Sequence, residues 1–493
     1  MKEQSKLSKV LSILLSVVLV ISSFYLLYQV IRLNVLPSKF LFPLTIGVVV
    51  LDAIFILLLI YFSKNVVSKI VCIVLTLFIC VASCMGGYYI SKTQNVLSSI
   101  TNVAKHAKNT VSVIVKESSS IKNKSQLNGV SVGSLRLNEQ GSKKALKELS
   151  GEGIVLNQKE YDSMTALLEA FYNGEVDSII INESSRSQIL DMETYSNFDS
   201  NTRVVYQTSY KVKNNDSATS VSDITSKPFN VLISGSDTRG GFDENGRSDV
   251  IMIATVNPKT HTILLTSVPR DFYVTTACDA GDGCMQGALD KITHTGIHGT
   301  NTTKRTVEQL LGIEINYTFK VGFDTVTKLV DTLGGVDVYV EPGYAVHNEY
   351  INVKEGVNHL YGEEALEYAR ERYAYAEGDR QRTKNQQQVL MGIVKEATKP
   401  SVITNYAAIM DTMANTFSTT MSNAEITDLI KYQLNNNPTW KMEQYMVDGT
   451  GDTLMCAELG DAASVMVPDQ STVKMAKDKI NAVLAGKSSE DVK

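Results

Sequence analysis

The sequence predicts an α/β protein carried on three membrane-crossing helices. Two patterns predict this class. Residues 1–91 contain three long apolar runs, and the chain beyond residue 125 alternates short β-rich runs with segments of helical spacing. A third observation bears on chemistry. The stretch "EYARERYAYAEGDRQRTKNQQQ", residues 367–388, sets Arg370, Arg372, Arg380 and Arg382 close to carboxylates, with Gly378-Asp379 between the two pairs.

The apolar runs come first. Residues 10–31 hold no charged side chain, residues 40–63 hold only Asp52, and residues 70–91 hold none. About 20 apolar residues cross a bilayer core as a helix, and three successive runs do not fit a cleaved leader. Lys2, Lys6, Lys9, Lys64 and Lys69 flank one side against Arg32 and Lys39 on the other, which predicts a cytoplasmic N-terminus. Three crossings then place everything beyond about residue 92 outside the cell, as a multi-pass protein of the cell membrane with extracellular C-terminal domains. Cys72, Cys80 and Cys84 fall in the third run as small apolar fillers. Cys278 and Cys284 bracket "DAGDG", so a loop-closing disulfide is open in an oxidising compartment, and Cys456 is left over. A net charge of −5 gives no general attraction to nucleic acid, and no direct nucleic-acid partner is expected.

Residues 92–124 are rich in Ser, Asn and Lys and read as a juxtamembrane stalk. Between 125 and 212, "GVSVGSL", "GIVLNQ" and "VDSIIINES" read as strands, separated by helices over "EQGSKKALKELS" and "EYDSMTALLEAFYNGE", and form a small accessory α/β domain. Residues 213–227 form a polar linker. A larger α/β domain follows at 228–487, with a tail at 488–493. Its strands are "FNVLISGSD", "SDVIMIATVN", "HTILLTSVPRDFYV" and "VDVYVE", and "TTKRTVEQLLG" and "FDTVTKLVDTLGG" are helices with glycine stops. Residues 385–435 read as mostly helical, and "PDQSTVKMAKDKINAVLAG" as a closing helix.

Several chemistries are excluded. "AGKSS" (485–489) ends like a phosphate-binding loop, but Asn481 stands where the first glycine is needed. His294 and His298 have i, i+4 spacing without the H-E-x-x-H pattern of a zinc site, which leaves a pair of hydrogen-bonded histidines. There is no G-x-S-x-G elbow and no helix-turn-helix with a basic face.

Polar residues at strand ends remain. Asp237 follows "FNVLISGS", Arg247 and Asp249 sit in "GRSDV", and Arg270 and Asp271 follow "ILLTSVP". Two aspartates at such ends can hold a hard divalent cation through oxygen, and arginine is the fork suited to phosphate oxygens. The same residues also read as a turn aspartate and a surface ion pair. Likewise Glu363, Glu364, Glu367, Arg370 and Glu371 make sensible partners on a solvated helix. Composition leaves both readings open.

The motifs carry a resemblance. "FNVLISGSDTRG", "GRSDVIMIATVNPKTHTILLTSVPRDFYV", "LDKITHTGIHG", "VEQLLGIEINYTFKVGFDTVTKLVDTLGGVDVYV", "VNHLYGEEALEYARERY" and "GDRQRTKNQQQVL" resemble the LytR-CpsA-Psr (LCP) family, in family order over 228–398. The three-span layout with an accessory domain looks most like its capsular members. The resemblance implies an α/β/α-type fold with a mixed central sheet. It implies a phosphotransferase that moves capsular polysaccharide or another glycopolymer from a polyprenyl pyrophosphate carrier to peptidoglycan, through a phosphodiester. By position, Asp237 and Asp249 match the family's Mg²⁺-associated aspartates (Mn²⁺ being the other candidate). Arg247, Arg270, Arg370, Arg372 and Arg382 match the arginines around the pyrophosphate, Asp379 and Gln386 match polar residues of that pocket, and Lys291 matches the lysine of the "DKI" motif. Arg270, Arg372, Asp249 and Asp379 are the expected catalytic group. One departure is Asn385, where many members carry a further arginine; Arg380 has no counterpart. The carrier's tail calls for an apolar cavity, with Val231, Ile233, Ile251, Ile253, Phe323 and Leu329 as candidate lining or as ordinary core. Capsule assembly proteins are candidate partners. The alternatives are a non-catalytic binding or regulatory protein of capsule assembly, and a pyrophosphatase with water as acceptor.

Overall fold

The computed structural model describes residues 2–62, 66–101, 106–136, 139–236, 244–278, 284–399, 408–412 and 417–492. The chain divides into two compact units. One comprises Met1–Thr101, Lys395–Ala414 and Ser422–Thr439, the other Asn102–Val394, Asn415–Met421 and Trp440–Lys493.

In the first unit, α1 (Lys2–Leu33), α2 (Ser38–Leu57) and α3 (Val66–Thr101) include three stretches, Lys9–Leu33, Ser38–Tyr61 and Val66–Thr101, long and apolar enough to cross a membrane. Gly87 lets α3 approach α1 closely, because a Cβ there would lie 2.4 Å from the ring of Tyr25. Asp52, the one charge inside the second run, accepts a hydrogen bond of 2.9 Å from Ser23 Oγ, as a polar group in an apolar medium requires. The helix α12 (Asn423–Asn436) belongs to the same unit. Asn423 accepts a 2.6 Å hydrogen bond from Thr101 at the end of α3, and Lys431 donates one of 2.8 Å to Asn34 just beyond α1.

The second unit begins with a five-stranded sheet in the order β3-β2-β4-β1-β5. Its elements are β1 (His106–Lys116), β2 (Ser131–Leu135), α4 (Glu139–Gly151), β3 (Asn157–Tyr161), α5 (Met164–Asn173), β4 (Ser178–Asn182), α6 (Arg186–Asp191), α7 (Phe198–Asn201) and β5 (Thr202–Lys213). The stalk expected at 92–124 is therefore corrected. Its first part continues α3 to Thr101, and its middle is β1, paired antiparallel with both β4 and β5. The dense Ser, Asn and Lys content hides a run, Val111, Val113, Ile114 and Val115, that is fully buried. A register shift between Val113 and Ile114 accompanies the change of face. Val111 and Val113 pack with Ala145 and Leu149 of α4, whereas Ile114 packs with Leu167 and Phe171 of α5. β3 begins later than the run "GIVLNQ" suggests. The polar linker is ordered against the larger domain, with Thr219 N–H donating to Asn316 O at 2.8 Å and Ile224 buried.

The larger domain is built on a six-stranded mixed sheet: β16 (Phe417–Thr419), β11 (Tyr317–Gly322), β6 (Phe229–Ser236), β7 (Ser248–Asn257), β8 (Thr262–Ser267) and β17 (Lys441–Met446), in that order. β11 runs parallel to β6 and β17 parallel to β8; the other neighbours are antiparallel. One face, carrying Leu232, Ile251, Ile253 and Leu264, is covered by α8 (Thr300–Leu311) and α13 (Gln470–Leu484) through Val307, Leu311, Ile480 and Val483. A second core joins α9 (Phe323–Leu333), α10 (Gly362–Arg370) and α11 (Asp379–Ala397) to two small ribbons, β12 (Val336–Val340) with β15 (Gly356–Leu360) and β13 (Val346–His347) with β14 (Asn352–Val353). The expected helical stretch 385–435 is thus interrupted by the strand β16. Two further ribbons complete the domain: β9 (Tyr273–Thr275) with β10 (Leu289–Lys291), and β18 (Gly449–Cys456) with β19 (Asp461–Pro468). Cys278 and Cys284 form a disulfide, and Cys456 is a buried free thiol.

The accessory sheet and the larger domain share side chains. Cys456, Leu459 and Val465 of the β18–β19 hairpin belong to the same apolar core as Leu167, Phe171 and Phe198, and Met164 N–H donates to Leu459 O at 2.9 Å. Gly460 makes that contact possible. It has φ +66°, and a Cβ would lie 2.4 Å from Asp162 O. Gly460→Ala is expected to lower the unfolding free energy by about 1–3 kcal/mol. A denaturant titration of the full chain checks this, and an unchanged midpoint would remove Gly460 from the junction.

Candidate functional site

The β7 strand starts where β8 ends, because the two run antiparallel and Val268 N–H continues the ladder to Ile251 O at 2.9 Å. This register sets Arg247 and Asp249, at the head of β7, beside Arg270, just past the end of β8. Arg270 Nη1 donates to Asp249 Oδ1 at 2.9 Å, and Thr293 Oγ1 lies 3.3 Å from the same oxygen. Arg247 Nη2 is 3.9 Å from Asp249 Oδ2. On the far side of Arg270, Asp271 is 3.9 Å from its Nε and receives Lys291 Nζ at 3.2 Å.

Burial works against both charges here, and their neighbours overcome it. For Arg270, burial disfavours the cation, but Asp249, Asp271 and Asp379 outweigh it and hold the guanidinium more firmly protonated than usual. For Asp271, burial favours the acid, yet Lys291 and Arg270 keep its carboxyl below the ordinary value of 3.8.

The other wall comes from α10 and α11. α10 ends at Arg370, and the chain turns through Glu371-Arg372-Tyr373 into α11. Glu371 fixes that turn: one carboxylate oxygen accepts from the N–H groups of Tyr373 (2.8 Å) and Ala374 (3.0 Å), the other from Asn348 Nδ2 (2.9 Å). Arg372 lies over the ring of Tyr373 at 4.6 Å and Arg370 over Phe323 at 5.4 Å. On α11, Arg382 and Gln386, four apart, share one face (Asp379 pairs with Arg382). Arg382 is destabilised as a cation by burial, and Arg270 and Arg372 add to this against the pull of Asp379. Glu367 and Asp379 pair with Arg370 and Arg382 on this wall, so the arginines stand among carboxylates.

The two walls enclose a cleft of about 950 Å³, lined by Arg247, Asp249, Arg270, Arg370, Arg372, Arg382 and Gln386, by the Val346–Tyr350 arm, and by Asp191 from the accessory domain. The Nε atoms of Arg247, Arg270 and Arg382 are buried with no hydrogen-bond partner among the described residues. Each is a donor lacking an acceptor, the arrangement a bound anion completes.

Seven of the ten residues expected from sequence line this cleft. Lys291 and Asp379 do not; each stands behind a lining arginine, Lys291 through Asp271 and Asp379 beside Arg382. Asp237 lies outside the described residues. Arg380 turns away and pairs with Asp448 at 2.7 Å. The Asn385 departure has a physical reason. The side chain is fully buried, donating at 3.1 Å to Tyr368 O and to Tyr375 Oη, so it holds α11 to α10 and is not part of the cleft wall. His294 is buried on Asp290 at 2.7 Å and His298 pairs with Glu458 at 2.8 Å, as the hydrogen-bonded reading had it. Of the six residues expected around an apolar tail, Phe323 and Leu329 lie on α9, with Phe323 lining the cleft, and the other four divide by strand alternation. Ile251 and Ile253 point with Leu232 into the closed core under α8 and α13, whereas Val231 and Ile233 point to the opposite face. Sequence reasoning missed Asp191, Thr293, Asn348 and the clamp role of Glu371. Only Glu371, inside the arginine-rich stretch, left a trace in the sequence.

A mixed-sheet α/β domain that brings five arginines to one cleft, three of them with a buried Nε lacking an acceptor among the described residues, has the chemistry to accept an anion. Comparison with known proteins gives its relatives. The LytR_cpsA_psr family model matches residues 194–482, more than half of the chain, and the chain belongs to that family. It is 35% identical over 196 residues to the Bacillus subtilis (strain 168) "polyisoprenyl-teichoic acid--peptidoglycan teichoic acid transferase TagU", covering 40% of this chain and 60% of that one. It is 31% identical over 207 residues to the Bacillus cereus (strain AH820) protein of the same name, covering 42% and 65%. The chain thus spans less than two thirds of these relatives. Among solved structures, protein gbs0355 from Streptococcus agalactiae aligns with 26% identity and a TM-score of 0.46, over 53% of this chain and 89% of that one.

Asp271 offers a pH test. Its depressed carboxyl contributes stability that is present above the ordinary aspartate value of 3.8 and is lost as pH falls below it. Asp271→Asn is therefore expected to destabilise the protein at pH 7, with the gap to the parent narrowing as pH falls below 3.8, read as urea midpoints at a neutral and an acidic pH. An equal gap at both would refute the pairing with Arg270 and Lys291.

Proposed function

We propose that this protein is a membrane-anchored phosphotransferase. It moves a glycopolymer, capsular polysaccharide being the candidate, from a polyprenyl pyrophosphate carrier to a hydroxyl of peptidoglycan. The observation that carries the reading is the set of buried arginines whose Nε donors lack acceptors at the head of the cleft. The family membership and the relatives' names point to the same chemistry.

In the proposed reaction the acceptor hydroxyl attacks the sugar-proximal phosphorus of the pyrophosphate. The bond to the bridging oxygen breaks, polyprenyl phosphate leaves, the hydroxyl proton passes to a carboxylate, and a phosphodiester results. Arg247, Arg270 and Arg382, fixed by burial, are set to bind charge that grows on the leaving phosphate without reorganising. Arg370 and Arg372, more exposed at the mouth, fit the carrier's entry and the sugar-bearing phosphate. Asp249 suits a hard divalent cation. Its Oδ1 is taken by Arg270 and Thr293, while Oδ2 has only Arg247 at 3.9 Å among the described residues. With Asp237 it would hold Mg²⁺, which supplies further neutralisation of phosphate charge. The tail would lie along the Val231 and Ile233 face. The N-terminus is proposed to be cytoplasmic, with the cleft at the outer membrane surface, next to its lipid substrate.

The test uses the full chain in detergent with a polyprenyl-pyrophosphate-linked oligosaccharide, peptidoglycan fragments and Mg²⁺. A phosphodiester-linked product that disappears with chelator supports the reading. Arg270→Ala and Arg372→Ala are expected to lower turnover by about 10²–10³-fold, the size of removing one preorganised donor, with folding left intact by Arg372→Ala and weakened by Arg270→Ala, which removes a buried partner of Asp249. Release of sugar phosphate alone would make the enzyme a pyrophosphatase. Tight carrier binding without turnover would make it a binding protein.

A further inference from the structure

The accessory domain reaches into the cleft. Asp191, the last residue of α6, lines it, and its Oδ2 forms an ion pair with Arg247 Nη1. Arg247 is only 8% exposed, so its charge has little water to fall back on, whereas Asp191 is half exposed. At the C-terminal end of its own helix a carboxylate gains nothing locally, since helix C-termini favour cations. Its stabilising partner belongs to the other domain.

The contact is held in place from behind. The accessory core is shared with the β18–β19 hairpin, and Thr165 N–H donates to Asp461 Oδ2 at 3.3 Å. At a second point, Lys108 and Thr110 of β1 both bind Glu244, whose carbonyl also accepts from Lys320 of β11 at 2.7 Å. Asp191 is thus presented to Arg247 by a fixed scaffold.

We propose that Asp191 is an acidic gate for the donor, an inference that rests on the reading of the cleft as a pyrophosphate site. In the free protein its carboxylate occupies Arg247 as an internal anion. The incoming pyrophosphate must take that place, so the accessory domain weakens donor binding and favours release of the phosphate-bearing product. Asp191 is a positioning residue acting through Arg247.

The test is equilibrium binding of geranylgeranyl pyrophosphate to the full chain in detergent, comparing the parent with Asp191→Asn. The substitution keeps shape at a half-exposed site and leaves Arg247 its second carboxylate, Asp249, at 3.9 Å; an unchanged circular-dichroism spectrum checks the fold before binding is read. Asp191→Asn is expected to bind about three- to tenfold tighter at low salt, with the gain shrinking as salt screens it. In an Arg247→Met background the same substitution is expected to give no gain. Equal or weaker binding by Asp191→Asn, or a full gain without Arg247, would overturn the gate while leaving the pyrophosphate reading standing. A parent protein with no affinity for the probe would overturn both.

Discussion

The site depends on one constraint: a guanidinium cannot be buried without an anion in contact. Arg270 meets it through Asp249 at 2.9 Å, and the sheet register supplies that contact by starting β7 where β8 ends. The remaining charges follow in order. Asp271 backs Arg270, Lys291 backs Asp271, and Asp379 backs Arg382. Arg270 and Arg382 thus have partial compensation from their neighbours, and the Nε donor of each stays without an acceptor among the described residues. Replacing this lattice by neutral side chains would relieve desolvation and leave the cleft without fixed charged donors.

The helix α11 is the second organising element, and it is read on three faces. Arg382 and Gln386 face the cleft. Gln381 and Asn385 hydrogen-bond each other, and Asn385 reaches α10. Gln387 inserts its amide between parallel strands, donating to Ser267 Oγ at 2.9 Å and to Tyr445 O at 2.8 Å. The run "NQQQ" therefore places a helix-to-helix clamp, a cleft-facing amide and a sheet anchor on three consecutive residues, Asn385, Gln386 and Gln387. The hydrogen bonds of Asn385 and Gln387 fix the rotation of α11 and so the aim of Arg382.

Strand ends were legible because apolar runs stop at charged residues: Arg247, Asp249 and Arg270 were each found that way, and the family motifs supplied roles for Arg370, Arg372 and Arg382. β1 was not legible. Its polar flanks read as a stalk, and its apolar residues face two different cores across a register shift, so no single period marks it. The retreat of Lys291 and Asp379 behind the first row was also hidden. Sequence shows that a charge is near a motif; which charge touches the ligand is decided by packing. Asp191 lay beyond reach, because its partner is 56 residues away in another domain.

That last pairing is where the accessory domain touches the cleft. An accessory module joined only by a linker would move as a body, and its contribution to a cleft would be averaged over many positions. Here Leu459 and Val465 are buried in the accessory core, and Met164 closes the backbone contact to Leu459. Separating the domains would expose that apolar surface, at a cost of roughly 25 cal/mol for each Å². Moving one carboxylate of a half-exposed aspartate requires only a rotamer change. Any influence of the accessory domain on the cleft is therefore exerted through side-chain charge at a fixed position, and it responds to salt and to anionic ligands without a hinge.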